Sequence, residues 1–143
     1  MNNKKEKLED FKTAISSTVR SISNSKKVEI SFGNQISNSE NSTIKLPELS
    51  QTNNKFNIEE IRAIADSKSL NFRFSNNKTY KKYEPKGNIS KKLYKISEKI
   101  RCEKIGTSYF RGVKNNIEKF YLNRLSGLDL KSSEDKIVES FEN

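Results

Sequence analysis

The side chains that could do chemistry in this sequence are three carboxylates and one guanidinium on two predicted helices. Glu98, Arg101 and Glu103 follow one another at E-x-x-R-x-E spacing, and Asp66 lies on an earlier helix. Arg101 can meet Glu98 three residues away, whereas Glu98 and Glu103 point about 140° apart around the helix. This spacing does not favour a pair of catalytic carboxylates. It predicts a polar cluster between helices, which is either a structural ion pair such as Arg101 with Asp66 or a group that orients a partner or ligand.

Several catalytic and metal-binding chemistries are excluded by what the sequence lacks. There is no histidine, so the single cysteine, Cys102, has no partner for a Cys–His nucleophile. One thiol with scattered carboxylates also makes a poor zinc site. Neither a phosphate-binding loop nor a Gly-x-Ser-x-Gly elbow occurs. We therefore predict no catalytic residue, no metal ligand and no bound cofactor in this chain, with Cys102 as a structural thiol.

The chain is basic, with 28 lysines and arginines against 18 acids and a net charge of +10. Lysines interleaved with aromatic rings are typical of surfaces that bind single-stranded nucleic acid. The basic residues are nevertheless spread along the whole chain among the acids, which favours an ordinary solvated surface. Nucleic-acid binding is therefore the alternative function and not the favoured one. Its predicted face consists of Tyr80, Lys81, Lys82, Tyr83, Lys86, Lys91 and Lys92.

The first part of the sequence predicts a helix followed by two short strands. Apolar residues recur at steps of three and four from Leu8 to Ile22, which predicts a helix over residues 8–24. Alternation then predicts strands around residues 28–32 and 43–46, joined by a polar loop. Because two strands alone are marginal in water, we expect an antiparallel ribbon that packs on the helix through core residues Phe11, Phe32 and Leu46.

The second part predicts three longer helices. One begins at Ile58 after the N-cap Asn57 and ends near residue 75, one begins at the N-cap Asn88 with a break near Gly106, and one covers residues 112–125. Residues 79–83 form a short helical turn or a loop. A stripe on the helix after Asn88 is expected in the core, namely Leu93, Ile96 and Ile100. The fold class is thus mainly α with a small two-stranded antiparallel β-ribbon (α+β).

The pattern also predicts the domain limits and the compartment. Residues 1–125 are expected to form one helical domain, and residues 126–143 a polar tail in which Ile137, Val138 and Phe141 could dock as a short helix. No apolar run has the length of a membrane span, and one cysteine fits a reducing compartment. We therefore predict a cytoplasmic protein.

A collinear series of short motifs carries a family resemblance. The series is Phe11-Lys12-x-Ala14-x-x-x-Thr18-x-Arg20-x-Ile22, Val28-x-Ile30-x-Phe32-Gly33, Leu46-Pro47, Arg62-x-x-Ala65-Asp66-Ser67, Pro85-x-Gly87, Glu98-x-x-Arg101-x-Glu103-x-Ile105-Gly106 and Gly112-Val113-x-x-Asn116-Ile117. In this order and spacing it resembles the N-terminal region of the cobaltochelatase subunit CobT, over residues 8–125. The specificity lies in the order of the motifs, because each of them alone is common.

The resemblance implies a subunit of an ATP-dependent aerobic cobaltochelatase, which inserts cobalt into hydrogenobyrinic acid a,c-diamide during cobalamin biosynthesis. The implied partners are an AAA+ ATPase subunit similar to CobS and a large corrinoid-binding subunit similar to CobN. ATP, magnesium and cobalt would be used by the complex and not bound by this chain. In the family an acidic linker and a C-terminal von Willebrand A-like domain follow, so residues 126–143 are expected to begin such a linker. The chain would act as a non-catalytic assembly or coupling module.

Overall fold

The computed structural model describes residues 2–34, 42–49 and 58–126, and this part of the chain is mainly helical, as predicted. Most of the two predicted polar connectors, the N-cap Asn57 and residues 127–143 lie outside the described residues. The elements are α1 Asn2–Ser23, β1 Glu29–Phe32, β2 Thr43–Leu46, α2 Ile58–Phe74, α3 Asn77–Tyr83, α4 Asn88–Tyr109 and α5 Arg111–Ser126.

The two strands are parallel, so the predicted antiparallel ribbon is wrong. The register places Ile30 beside Ile44 and Phe32 beside Leu46. Side chains alternate between the two faces of a strand, so this register gathers the apolar residues of both strands on one face. If the same two segments were paired antiparallel with their ends aligned, Phe32 would lie beside Thr43 and not beside Leu46. Alternation in sequence identifies a strand but carries no information about its direction.

Helix α1 ends where the sequence predicts, through a defined hydrogen-bond pattern. Asn24 has a positive φ of 53°, a left-handed conformation that asparagine tolerates better than most residues. Its N–H donates to the carbonyl of Ser21, and the N–H of Ser25 donates to the carbonyl of Arg20, each at 3.2 Å. These two bonds form a Schellman motif, which satisfies carbonyls at the helix end and turns the chain toward β1.

Helix α2 lies at the centre, in contact with α1, β2, α4 and α5. One apolar cluster joins α1, the strands and the first half of α2, and it contains the predicted Phe32 and Leu46 with Phe11 packed against it. A second cluster joins the end of α1 to α2 and α5. Its buried members are Ile22, Leu70, Val113 and Ile117.

The first half of α4 is not part of the core, so the predicted burial of the Leu93, Ile96 and Ile100 stripe is wrong. Leu93 and Ile96 are half-buried and Ile100 is 36% exposed. The buried residues of α4 all come later, at positions 102, 103 and 106. The first half of α4 packs against α3 instead, where the ring of Tyr80 stacks on Tyr94 with 4.7 Å between the ring centroids. Periodicity therefore located an apolar face without showing that a neighbour covers it.

Two local predictions for α4 also need correction. The residue at the N-cap is Gly87, which makes no side-chain cap, and Asn88 is the first helical residue. The helix continues through Gly106 to Tyr109 instead of breaking there. The reason for a glycine at this position is its contact with α2, described next.

Candidate functional site

Helices α2 and α4 are in close contact at Gly106 and Leu70. A Cβ placed on Gly106 would lie 2.1 Å from Leu70 Cδ2 and 2.6 Å from Cδ1, far inside van der Waals contact. Leu70 is fully buried, so it has no solvent to move into. The absence of a side chain at Gly106 thus brings the polar faces of the two helices within reach of each other.

Arg101 and Glu98 form the ion pair that their spacing predicts. Arg101 also caps the C-terminal end of α2. The guanidinium makes two parallel hydrogen bonds of 2.8 Å to the Glu98 carboxylate, and its Nη2 donates to the carbonyl of Phe74, also at 2.8 Å. The Arg101 hydrogen bond lowers the pKa of Glu98, which in turn raises the pKa of Arg101. A cation at a helix C-terminus also compensates the helix dipole. The pair therefore links α4 to α2, with both groups charged.

Glu103 points to a different side of α4, in agreement with its five-residue offset from Glu98. It is 6% exposed and accepts hydrogen bonds from Ser67 Oγ on α2 and from Tyr121 Oη on α5, the latter at 2.9 Å. Burial, followed by the nearby Glu103 carboxylate, raises the pKa of Tyr121 to about 12. Tyr121 therefore keeps its proton and serves as a donor, which joins three helices at one carboxylate.

Asp66 pairs with Asn116 and not with Arg101, so the ion pair suggested from the sequence does not form. Asn116 Nδ2 on α5 donates to Asp66 Oδ2 at 2.8 Å. Asp66 is 4% exposed, and burial raises its pKa although the Asn116 hydrogen bond and the charge of Arg62 act in the opposite direction. The four predicted residues are thus divided among three contacts, of which only Glu98 and Arg101 share one.

The Asp66 contact makes a specific prediction for stability. In Asp66→Asn the amide oxygen can still accept from Asn116, while the cost of a buried charge disappears, so we expect unfolding free energy at pH 7 at or above that of the wild type. Asp66→Ala should lose about 1–3 kcal/mol, because the Asn116 amide is left without its acceptor. Urea unfolding measures both variants.

The sign of the pH dependence provides the control for this prediction. The folded-state pKa of Asp66 is raised, so its stabilising, protonated form is complete below about pH 4 and is lost as pH rises through the folded-state pKa. The advantage of Asp66→Asn should therefore shrink as pH is lowered. An Asp66→Asn variant as unstable as Asp66→Ala would contradict this account.

Cys102 has the environment of a structural thiol. It is fully buried between α2 and α4, and burial, followed by the charge of Glu98, raises its pKa to about 11. Its Sγ lies 3.9 Å from Asn71 Nδ2 and 3.9 Å from Glu98 Oε1, which are weak contacts of the kind thiols make. At neutral pH the thiol is protonated and therefore a poor nucleophile.

A groove of about 850 Å³ runs beside these contacts, between α2, α4, β2 and α5. Carboxylates Glu98 and Glu103 form part of its wall, with Ser67 between the helices. Its lining also includes cationic and apolar side chains, among them Lys45, Lys68, Lys92, Lys95 and Lys99 with Ile44, Ile64, Phe72, Ile96 and Phe120. A groove of this size with convergent polar groups is the natural candidate for binding.

The predicted nucleic-acid face does not form one open surface. The ring of Tyr80 is stacked on Tyr94, Lys91 pairs with Glu84 at 3.8 Å, and Lys92 lines the groove. The side chain of Tyr83 is 63% exposed, and Lys82 Nζ lies 5.2 Å from the centroid of its ring. One exposed ring with a neighbouring cation is a weak stacking surface, so the alternative function gains no support from the geometry.

Sequence reasoning named the acids and the Glu98 partner Arg101 but missed the other three partners, which are Ser67, Asn116 and Tyr121. Two of the three were visible as motif residues: Ser67 follows Asp66 in Ala65-Asp66-Ser67, and Asn116 lies in the Gly112-to-Ile117 motif. Nothing in the sequence marked Tyr121 as a hydrogen-bond donor, because it appeared only as one member of the apolar stripe of its helix. Of the groove lysines, the sequence singled out Lys92 alone, as part of the predicted nucleic-acid face, because isolated lysines are ordinary.

Two other kinds of site do not occur in the described ranges. Among residues 2–34, 42–49 and 58–126, no group of three or more cysteine, aspartate or glutamate side chains is arranged to hold a metal ion. Within the same ranges, none of the helices combines the length and the apolar character needed to cross a membrane.

The motifs that are separated in sequence meet in space. Asp66 contacts Asn116, Ser67 contacts Glu103, and the Arg62 guanidinium lies 6.0 Å from the Phe11 ring centroid. No solved structure matches the chain. The family model described as cobalamin biosynthesis protein CobT matches residues 5–136, which is most of the chain and confirms the resemblance. The chain therefore belongs to the CobT family and has a role in cobalamin biosynthesis.

Proposed function

We propose that this chain is a non-catalytic subunit or domain of an ATP-dependent aerobic cobaltochelatase. Membership of the CobT family supports the pathway. The observation that carries the non-catalytic role is that Asp66, on α2, and Glu98 and Glu103, on α4, each accept a hydrogen bond from another side chain of this chain. A carboxylate whose hydrogen bonds hold the fold together is a poorer candidate for a general acid or base, which must reach a proton of the substrate. The reaction in which the complex takes part is insertion of cobalt into hydrogenobyrinic acid a,c-diamide.

The chemistry of the reaction would lie on the other subunits. An AAA+ ATPase subunit would bind ATP and magnesium, and a large subunit would hold the corrinoid that receives cobalt, which is a substrate of the complex. This chain would couple the two by offering a rigid three-helix surface. Two features support rigidity, the close contact of Gly106 with Leu70 and the contacts of Glu103 with both α2 and α5.

Arg101→Glu tests the link between the helix contacts and assembly. The variant places a second carboxylate beside Glu98 and at the C-terminal end of α2, where negative charge is unfavourable. We expect a loss of about 1 kcal/mol of stability, since the wild-type pair is partly exposed. We also expect loss of capture of the purified ATPase and large subunits in a pull-down with and without ATP.

Arg111→Glu is the matched control, because it makes the same charge change on the exposed start of α5, where an acid is tolerated. It should keep both the melting temperature and the capture. If Arg101→Glu retained wild-type melting and wild-type capture, the contact would have no part in assembly. If the folded wild type captured neither subunit, the coupling role itself would be wrong.

A further inference from the structure

The groove beside α4 has an excess of positive charge at its rim. Lys68 from α2 and Lys92 and Lys95 from α4 line it. The carboxylates on the same wall are engaged elsewhere, because Glu98 holds Arg101 and Glu103 accepts from two hydroxyl groups. Within the described part of the chain, the groove therefore presents cations that the acids of its own wall do not neutralise.

Lys68 and Lys95 approach the groove from opposite helices. Lys68 Nζ donates to the carbonyl of Lys45 on β2, which holds its ammonium group at the rim. Burial and, after it, the charge of Lys95 lower the pKa of Lys68, so the two ammonium groups repel each other. A carboxylate between them would turn this repulsion into attraction.

The surface next to these cations is apolar and incompletely covered. Phe72 is 36% exposed, and Ile64 and Ile96 are half-buried where they line the groove. On α4 the lining positions 92, 95, 96, 99 and 103 recur at helical spacing, so they form one face about 16 Å long. The matching occupant is a chain segment that carries both carboxylates and apolar side chains, as in recognition of a peptide in a groove between helices.

The last 17 residues of this chain have that composition. Residues 127–143 contain five acids and two lysines, a net charge of −3, so the preceding 126 residues carry +13 and the total is +10. Three apolar residues, Ile137, Val138 and Phe141, are interspersed with Glu134, Asp135, Glu139 and Glu142. The charge of this segment is therefore opposite to that of the groove.

The connection to the groove is short. Helix α5 passes along the groove at Ile117 and Phe120 and ends at Ser126. From there nine residues lead to Asp135, a span of up to about 30 Å in extended chain. We propose that residues 129–142 bind in this groove, with their carboxylates against Lys68, Lys92 and Lys95 and their apolar side chains against Ile64, Phe72 and Ile96. This inference does not depend on the chelatase assignment.

Zero-length carbodiimide cross-linking of the full chain tests the proposal directly, because it joins a lysine to a carboxylate only when the two are in contact. After digestion, mass spectrometry of the monomer should find links from Lys68, Lys92 or Lys95 to acids between residues 129 and 142. Links spread equally over Lys81 and Lys82, which lie outside the groove lining, would overturn the proposal. So would an absence of links, or links found only between two copies of the chain.

A pair of charge-reversal variants separates specific binding from general attraction. Lys92→Glu with Lys95→Glu should reduce the yield of the Lys68 link to the tail about tenfold, because two favourable charge contacts become repulsive. Lys81→Glu with Lys82→Glu makes the same change in net charge on α3 and should leave that yield unchanged. Equal reductions in both variants would overturn the proposal, with circular dichroism confirming that each is folded.

Discussion

Replacing Gly106 by alanine should lower the unfolding free energy by about 2–3 kcal/mol, although alanine is the better helix former. The new methyl group would overlap the branched end of Leu70, whose atoms lie 2.1–2.8 Å from the position that the alanine Cβ would occupy and which is fully buried. Either Leu70 must leave its rotamer or α2 and α4 must separate. Separation would also stretch the Ser67–Glu103 contact, so the loss should extend beyond the overlap itself.

Gly112→Ala is the matched control for this substitution. Gly112 is also within a helix, and a Cβ there meets no heavy atom within 4 Å. That variant should be neutral or stabilised by up to about 1 kcal/mol. Combining Gly106→Ala with Leu70→Ala should cost less than the two single changes together, because the overlap is then absent. Strictly additive losses in urea unfolding would refute the proposed steric cause.

Tyr121→Phe should cost about 1.5–3 kcal/mol at pH 7, the usual range for a hydrogen bond to a charged group. The substitution leaves the ring in place and removes the hydroxyl that donates to Glu103, so the buried carboxylate keeps only Ser67 as a donor among the described contacts. Urea unfolding at pH 7 measures the loss. Phe120→Leu, a change at the neighbouring half-buried ring, should leave the Glu103 contacts intact and serves as the packing control.

The same contact predicts a loss of stability in alkali. The pKa of Tyr121 is about 12 when folded and about 10 when unfolded, so between these values the folded chain holds a proton that the unfolded chain has released. Stability is therefore complete below pH 10 and falls as pH rises toward 12. Tyr121→Phe lacks this titration, and the difference between wild type and variant should shrink above pH 10. A difference that stays constant from pH 8 to pH 11 would show that the hydroxyl does not contribute through its proton.

Much of the local structure was determined by the sequence, because it depends on nearest neighbours. The apolar stripe from Leu8 to Ile22 predicted α1, and the residues of the strand at 43–46 and of the helix from Ile58 were correct to within a residue. The i, i+3 spacing of Glu98 and Arg101 predicted their ion pair. The order of the short motifs predicted the family. In each case the information lies within one element or in the order of elements, so no knowledge of the packing is required.

Only the tertiary structure decided which elements meet. It made the strands parallel and paired Asp66 with Asn116, fifty residues away, through a hydrogen bond. It also left Ile100 at the surface, although the apolar stripe to which Ile100 belongs has helical spacing. It also placed Gly106 against Leu70, where the sequence suggested only a helix break. These features depend on how α2 crosses α4 and α5. That crossing is set by contacts between residues about 30 to 50 positions apart, which periodicity within a single element cannot contain.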